Sequence, residues 1–152
     1  GKVVILTSHH ASIALGDGTG LGGTQQDDAM TTDEWRSVVT SYDNVLLHLA
    51  GHTHVHRVTK AETAEGSGTP YWELETSALA DWPHQMRMIE VWDDDNGFYS
   101  IRAIAFDYSV DGDPVAEDGR ARSVVDLTSG WCPDGSGATT ERNVELFVPK
   151  AP

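Results

Sequence analysis

The sequence predicts an α/β chain that is rich in strands, with one main helix and an irregular tail. Three observations predict it. Apolar runs at 3–7 and 45–50 bracket a segment with helical periodicity, two alternating runs straddle an Asn-Gly turn, and beyond Tyr108 the composition shifts to Asp, Gly, Ser and Thr.

Val3 to Thr7 is short, continuous and β-branched, as in a strand buried on both faces, and it ends at Ser8-His9-His10. Gly16 to Gly23 is a glycine-dense loop. Thr31 then offers an N-cap, with Asp33 and Glu34 in the first turn of a helix whose apolar stripe is Trp35, Val38, Val39 and Tyr42. Asp43-Asn44 ends that helix. Val45 to Ala50 is a second strand running into Gly51-His52-Thr53-His54, where the glycine is expected to permit an unusual turn. Val55 to Ala61 continues as strand, and Tyr71 to Thr76 alternates with period two, as in a half-buried strand. Met86 to Trp92 and Phe98 to Phe106 flank Asp93-Asp94-Asp95-Asn96-Gly97, a hairpin signal. In the tail only Val124-Val125 and Val144 to Val148 offer strand material.

At 152 residues the chain fits one domain, and an apolar fraction of 39% is enough for a core. Its 24 acidic and 10 basic residues give a formal charge of -14, which repels nucleic acid. The single cysteine, Cys132, excludes an internal disulfide framework and a cysteine-rich zinc module and reads as a free structural thiol. No stretch approaches the roughly 20 apolar residues of a membrane span. The chain enters an apolar strand almost at its first residue, as though cut from something longer.

Neutral imidazole is the commonest metal ligand, and both histidine clusters stand at strand ends, where ligands from different strands can converge. In Gly51-His52-Thr53-His54, two imidazoles one residue apart can reach two ions a few ångströms apart. An apolar strand ending in His-His, then a helix, then an apolar strand ending in Gly-His-x-His resembles the calcineurin-like metallophosphoesterases. Trp72 to Val91, with Thr76-Ser77-Ala78-Leu79 and Pro83-His84-Gln85-Met86-Arg87, is similar to the stretch that follows in bacterial members. The resemblance covers roughly residues 3 to 106.

That resemblance implies the C-terminal half of a four-layer α/β/β/α sandwich, with residues 1–108 in the metallophosphoesterase domain and 109–152 an extension packed on it. It implies His9 and His52 as ligands of one ion, His54 as a ligand of the other, and His10 in the surrounding shell. The cofactors implied are two divalent or trivalent ions of Mn, Fe, Zn or Ni, and the activity is hydrolysis of phosphate mono- or diesters by water activated between them. The family's Asp-x-His, Gly-Asp-x-x-Asp and Gly-Asn-His motifs do not occur upstream of His9, so this chain is expected to supply part of the site. The implied partners are a phosphate-ester substrate, the N-terminal half of the same protein and self-association through uncovered apolar surface. Many bacterial relatives are exported, so the compartment leans extracytoplasmic. The rival reading is a non-catalytic binding or scaffolding module derived from the same fold.

The other histidines have plainer expectations. His48, inside an apolar strand, reads as a hydrogen-bonded core residue; His56 reads as exposed; His84 reads as part of a loop. Gly18-x-Gly20-x-x-Gly23 formally matches a dinucleotide fingerprint, but it follows its strand by ten residues and opens no helix. Asp93 to Gly97 resembles the start of a calcium loop but lacks the later glutamate, and turn chemistry explains it.

Overall fold

The computed structural model describes residues 1–16, 24 and 26–150. The glycine-dense loop, apart from Gly16, and the Gly18-x-Gly20-x-x-Gly23 pattern lie outside the described residues. The fold is mixed α/β, with seven strands and three helices among the described residues. It comprises two compact units, one built on Gly1–His52 with Val58–Leu74, the other on Thr53–Arg57 with Glu75–Pro149.

The first unit is organised by strands β1 (Val4–Thr7), β2 (Val45–Ala50), β3 (Arg57–Ala61) and β4 (Tyr71–Glu75), in the order β1-β2-β4-β3. β1 and β2 run parallel, which requires a crossover connection, and helix α1 (Thr32–Thr40) lies within it. α1 starts where the sequence places it. Thr31 accepts the Glu34 N–H, and the Glu34 carboxylate accepts the Thr31 N–H at 2.8 Å, a reciprocal capping box.

Val39, Val45, Ala61 and Tyr71 form a buried cluster, with Val4, Leu6 and Trp35 packed against it. Only part of the expected helix stripe is used, since Val38 and Tyr42 remain exposed beside an apolar hollow of about 470 Å³. β1 departs from expectation too. It alternates, with Val4 and Leu6 turned inward and Ile5 44% exposed, so one face of this edge strand is left uncovered by the described residues.

β4 was expected to be half-buried, yet Glu73 and Glu75 are as buried as Tyr71 and Leu74. Alternation in the sequence reflects two buried faces, one apolar and one holding paired carboxylates. Glu75 accepts from Arg57 at 2.8 Å and from Thr53 at 2.7 Å.

The second unit contains an antiparallel sheet of β5 (Gln85–Asp93), β6 (Phe98–Asp107) and β7 (Asn143–Pro149) in that order. β5 and β6 form the expected hairpin, in register from Gln85 opposite Asp107 to Asp93 opposite Tyr99. Asp95 and Gly97 take the left-handed conformation at its turn, and the Asn96 side chain accepts the Phe98 N–H. Ile101, Ala103, Leu146 and Val148 supply the buried face.

The tail is not irregular. Besides β7, which matches the expected Val144 to Val148, it contains α2 (Pro114–Thr128), the longest helix described, and the short α3 (Thr139–Arg142). α2 has no apolar stripe to signal it, and Val115 and Val125 on it are exposed. Its signals are at its start: Asp113 accepts the N–H groups of Val115 and Ala116, and Pro114 fills the first helical position. No helix among the described residues is long and apolar enough to cross a membrane.

Gly66 and Gly68 both have positive φ, +68° and +80°, but a Cβ at Gly66 would meet open space, whereas one at Gly68 would sit 2.5 Å from the Thr40 carbonyl oxygen. Gly66→Ala should therefore cost about 1 kcal/mol from backbone strain alone. Gly68→Ala should cost about 1–3 kcal/mol more, because the clash is with backbone that also accepts the Thr69 N–H. Urea midpoints of the two variants check the ordering.

Candidate metal centre

The backbone ladder between β1 and β2 continues past the strands. Ser8 donates its N–H to Leu49 at 3.1 Å, and Gly51 donates to the His9 carbonyl at 3.1 Å. Parallel strands finish at the same end of a sheet, so the residues after this last rung emerge together. His9 Nε2 and His52 Nδ1 lie 3.2 Å apart. The His10 ring is 4.0 Å from that of His52, centre to centre, and 4.8 Å from that of His9.

One nitrogen from each of the three rings can be chosen so that all lie within 4.8 Å of one another, and all three residues are exposed. Two nitrogens bound tetrahedrally at about 2.05 Å from one ion would be about 3.3 Å apart, so the His9–His52 spacing suits a shared ion. The surroundings of the His10 ring favour its neutral form, the one that ligates. Desolvation lowers its pKa first, and the neighbouring His52 and His9 rings lower it further. A cavity of about 210 Å³ beside the cluster is lined by Ser8, His9, His10, Ser12, Leu15 and Trp35.

The turn that presents His52 is not made by Gly51, whose φ is not in the left-handed range and whose missing Cβ leaves open space. The unusual conformation belongs to the histidines themselves, with φ of 67° at His52 and 58° at His54. Left-handed backbone at a residue with a Cβ costs about 1–2 kcal/mol, and such strain concentrates where a side chain must be aimed.

Of the expected ligands, the fold brings His9 and His52 together and adds His10 to them. His54 belongs to the second unit. Its Nδ1 is hydrogen-bonded to the Asp81 carboxylate, which leaves Nε2 outside that contact. A carboxylate holding one nitrogen of a ligand histidine fixes the tautomer and the ring direction. Asp81 escaped the sequence reading because it lies 27 positions away, and nothing local distinguishes it from the other acidic loop residues.

The tail also reaches this segment. His56 donates its N–H to the Gly135 carbonyl at 3.0 Å, and Gly135 donates to the Trp82 carbonyl at 3.3 Å. Space for this strap exists only because a side chain is missing, since a Cβ on Gly135 would lie 2.3 Å from the His54 oxygen.

The remaining histidines settle as follows. His48 is a core residue, as expected, with Nδ1 2.7 Å from Glu73. His56, expected to be exposed, is 0% accessible because the strap and Ser77, Gln85 and Arg87 enclose it. The Arg87 guanidinium beside it is itself pulled down to about 10 by burial, partly offset by Glu141. His84 lies in a turn, as expected, but buried, with Nδ1 2.8 Å from the Tyr108 hydroxyl. Cys132 is a free thiol.

No family model and no curated protein matches this chain.

Gly135→Ala should destabilise the chain by about 1–3 kcal/mol, because the added methyl meets carbonyl oxygens that cannot rotate away. It should also shift the His54 ring resonances, and an unchanged urea midpoint with an unchanged His54 signal would contradict the strap. His56 supplies a pH prediction. Burial first and the Arg87 charge second push its pKa from 6.5 down to about 4, against the Gln85 bond that raises it. Between those values the unfolded chain holds the extra proton, so the contribution is complete above about pH 6.5 and drains as pH falls through 4. The loss from this group should reach about 3 kcal/mol, and His56→Gln should flatten the slope of stability between pH 7 and 4 in denaturant titrations.

Proposed function

We propose that this chain works in the metal-dependent hydrolysis of phosphate mono- or diesters, as calcineurin-like metallophosphoesterases do, with His9, His52 and His54 as metal-holding imidazoles. The fold that goes with this reading is the second half of that family's four-layer α/β/β/α sandwich. The observation that carries it is the meeting of His9 Nε2 and His52 Nδ1 at 3.2 Å beyond the ends of two parallel strands. The Asp81 carboxylate on His54 adds support, because it orients the ring as ligand histidines are oriented.

The chemistry such ions supply when bound is Lewis acidity toward a phosphoryl oxygen and a lowered pKa for water. The chain's own residues bind and aim. His9 and His52 offer converging ring nitrogens, which share a hydrogen bond that an ion would replace, Asp81 sets the direction of His54, and the hollow beside His9 and His10 gives a phosphoryl group room next to the cluster. An overall charge of -14 gives an anionic ester no attraction of its own, so on this reading substrate affinity depends on the metal.

A second reading has its own observation. Among the described residues, the one converging group of three or more potential ligands, His9, His10 and His52, contains three imidazoles and no carboxylate. That donor set suits a single zinc, copper or nickel ion held by a non-catalytic binding module.

By itself the chain should bind metal weakly and hydrolyse little; joined to the N-terminal half that carries the carboxylate motifs and supplied with Mn or Zn, it should cleave a chromogenic phosphate ester, and His52→Ala should lower that rate at least a hundredfold. Zinc uptake by calorimetry without turnover favours the binding module. Undiminished turnover by His52→Ala removes the phosphoesterase reading.

A further inference from the structure

The five residues from Ser8 to Ser12 carry His9 and His10, and both ends of this loop are tied to one buried pair. At the first end, Ser8 Oγ lies 2.7 Å from His48 Nε2 and donates its only proton to the His10 carbonyl at 2.6 Å. At the other end, Ser12 gives its N–H to Glu73 Oε2 at 2.8 Å and its O–H to Glu73 Oε1 at 3.0 Å. The two anchors meet where His48 Nδ1 lies 2.7 Å from Glu73 Oε2, both side chains being 1% exposed.

Every polar atom of these side chains has a partner. The Glu73 carboxylate takes three hydrogen bonds, and the His48 ring has a partner at each nitrogen. Arg36 donates to Ser12 Oγ at 3.1 Å and Thr32 donates to the Ser12 carbonyl at 2.8 Å, so α1 braces the same end. Ala11 and Ser12 are buried while His9 and His10 are exposed, which is the layout of a presented loop rather than of a core segment.

We infer that Ser8, His48, Glu73 and Ser12 are positioning residues that preorganise the His9–His10 loop for an imidazole-bound divalent ion. The inference rests on the metal reading of the cluster, but its mechanical part stands apart from it. Ligand precision then comes from buried hydrogen bonds on β2 and β4 rather than from the exposed loop itself.

The test uses the full chain with Ser8→Ala, which cuts one anchor while leaving the buried pair in place, and Ser8→Thr, which keeps the hydroxyl. Amide hydrogen exchange is read without metal, and zinc affinity by calorimetry. Ser8→Ala should speed exchange at His9 to Ala11 at least tenfold and weaken zinc binding about 10–100-fold, the range for losing a residue that orients a ligand. Ser8→Thr should bring both back to within about threefold of the parent, a rescue that general destabilisation would not give. Parent-like exchange and affinity in folded Ser8→Ala overturn the inference. If Ser8→Ala does not fold, Ser12→Ala cuts the side-chain tie at the other end and is judged by the same two readings. If the parent chain takes up no zinc, the metal reading fails, and the exchange data still decide whether these residues hold the loop.

Discussion

The parallel pairing of β1 with β2 is the constraint on which the site depends. An antiparallel arrangement would send the residues after Thr7 and after Ala50 to opposite ends of the sheet. In parallel, with Thr7 opposite Leu49 and the ladder closing at the Gly51 to His9 bond, the two histidine segments leave the sheet together. The left-handed turn at His52 and the ties of the Ser8–Ser12 loop then aim the rings that lie 3.2 Å apart. The crossover carrying α1 makes that pairing possible, and α1 in turn packs Trp35 and Val39 against the sheet.

Below the histidines the sheet is polar where an ordinary core would be apolar. Glu73 and Glu75 are buried on β4 and His48 on β2. Burial by itself raises the pKa of Glu73, yet the hydrogen bonds from His48 and from the Ser12 N–H and O–H outweigh it and hold the carboxyl below its ordinary value. A buried pair of this kind adds little net stability, and breaking it by removing one partner costs about 3–5 kcal/mol. Its presence is better explained by what it fixes in place than by what it adds to stability.

Both histidine segments depend on residues far away in the chain. Glu73 is 61 positions from Ser12, and Asp81 is 27 positions from His54. Gly135 leaves the space that lets the tail lie against the His54 and Trp82 carbonyls. Each is an ordinary residue by itself, and only the folded chain gives it a role.

The sequence by itself determined the local elements: the capping box at Thr31, the strand from Val45 to Ala50, the Asn-Gly hairpin and the placing of His9 and His52 at strand ends. These follow from short-range physics, in which periodicity, capping and turn chemistry act over a few residues. Tertiary structure alone decided the rest. It made β1 an edge strand with an exposed apolar face, buried His56 beneath the tail, and moved the strained backbone from Gly51 to His52 and His54. It built α2 on a cap rather than an apolar stripe, and it brought His10 to His9 and His52. The physical reason is that burial and hydrogen-bond partners are properties of what lies opposite a residue in space, and a linear pattern encodes only which faces alternate.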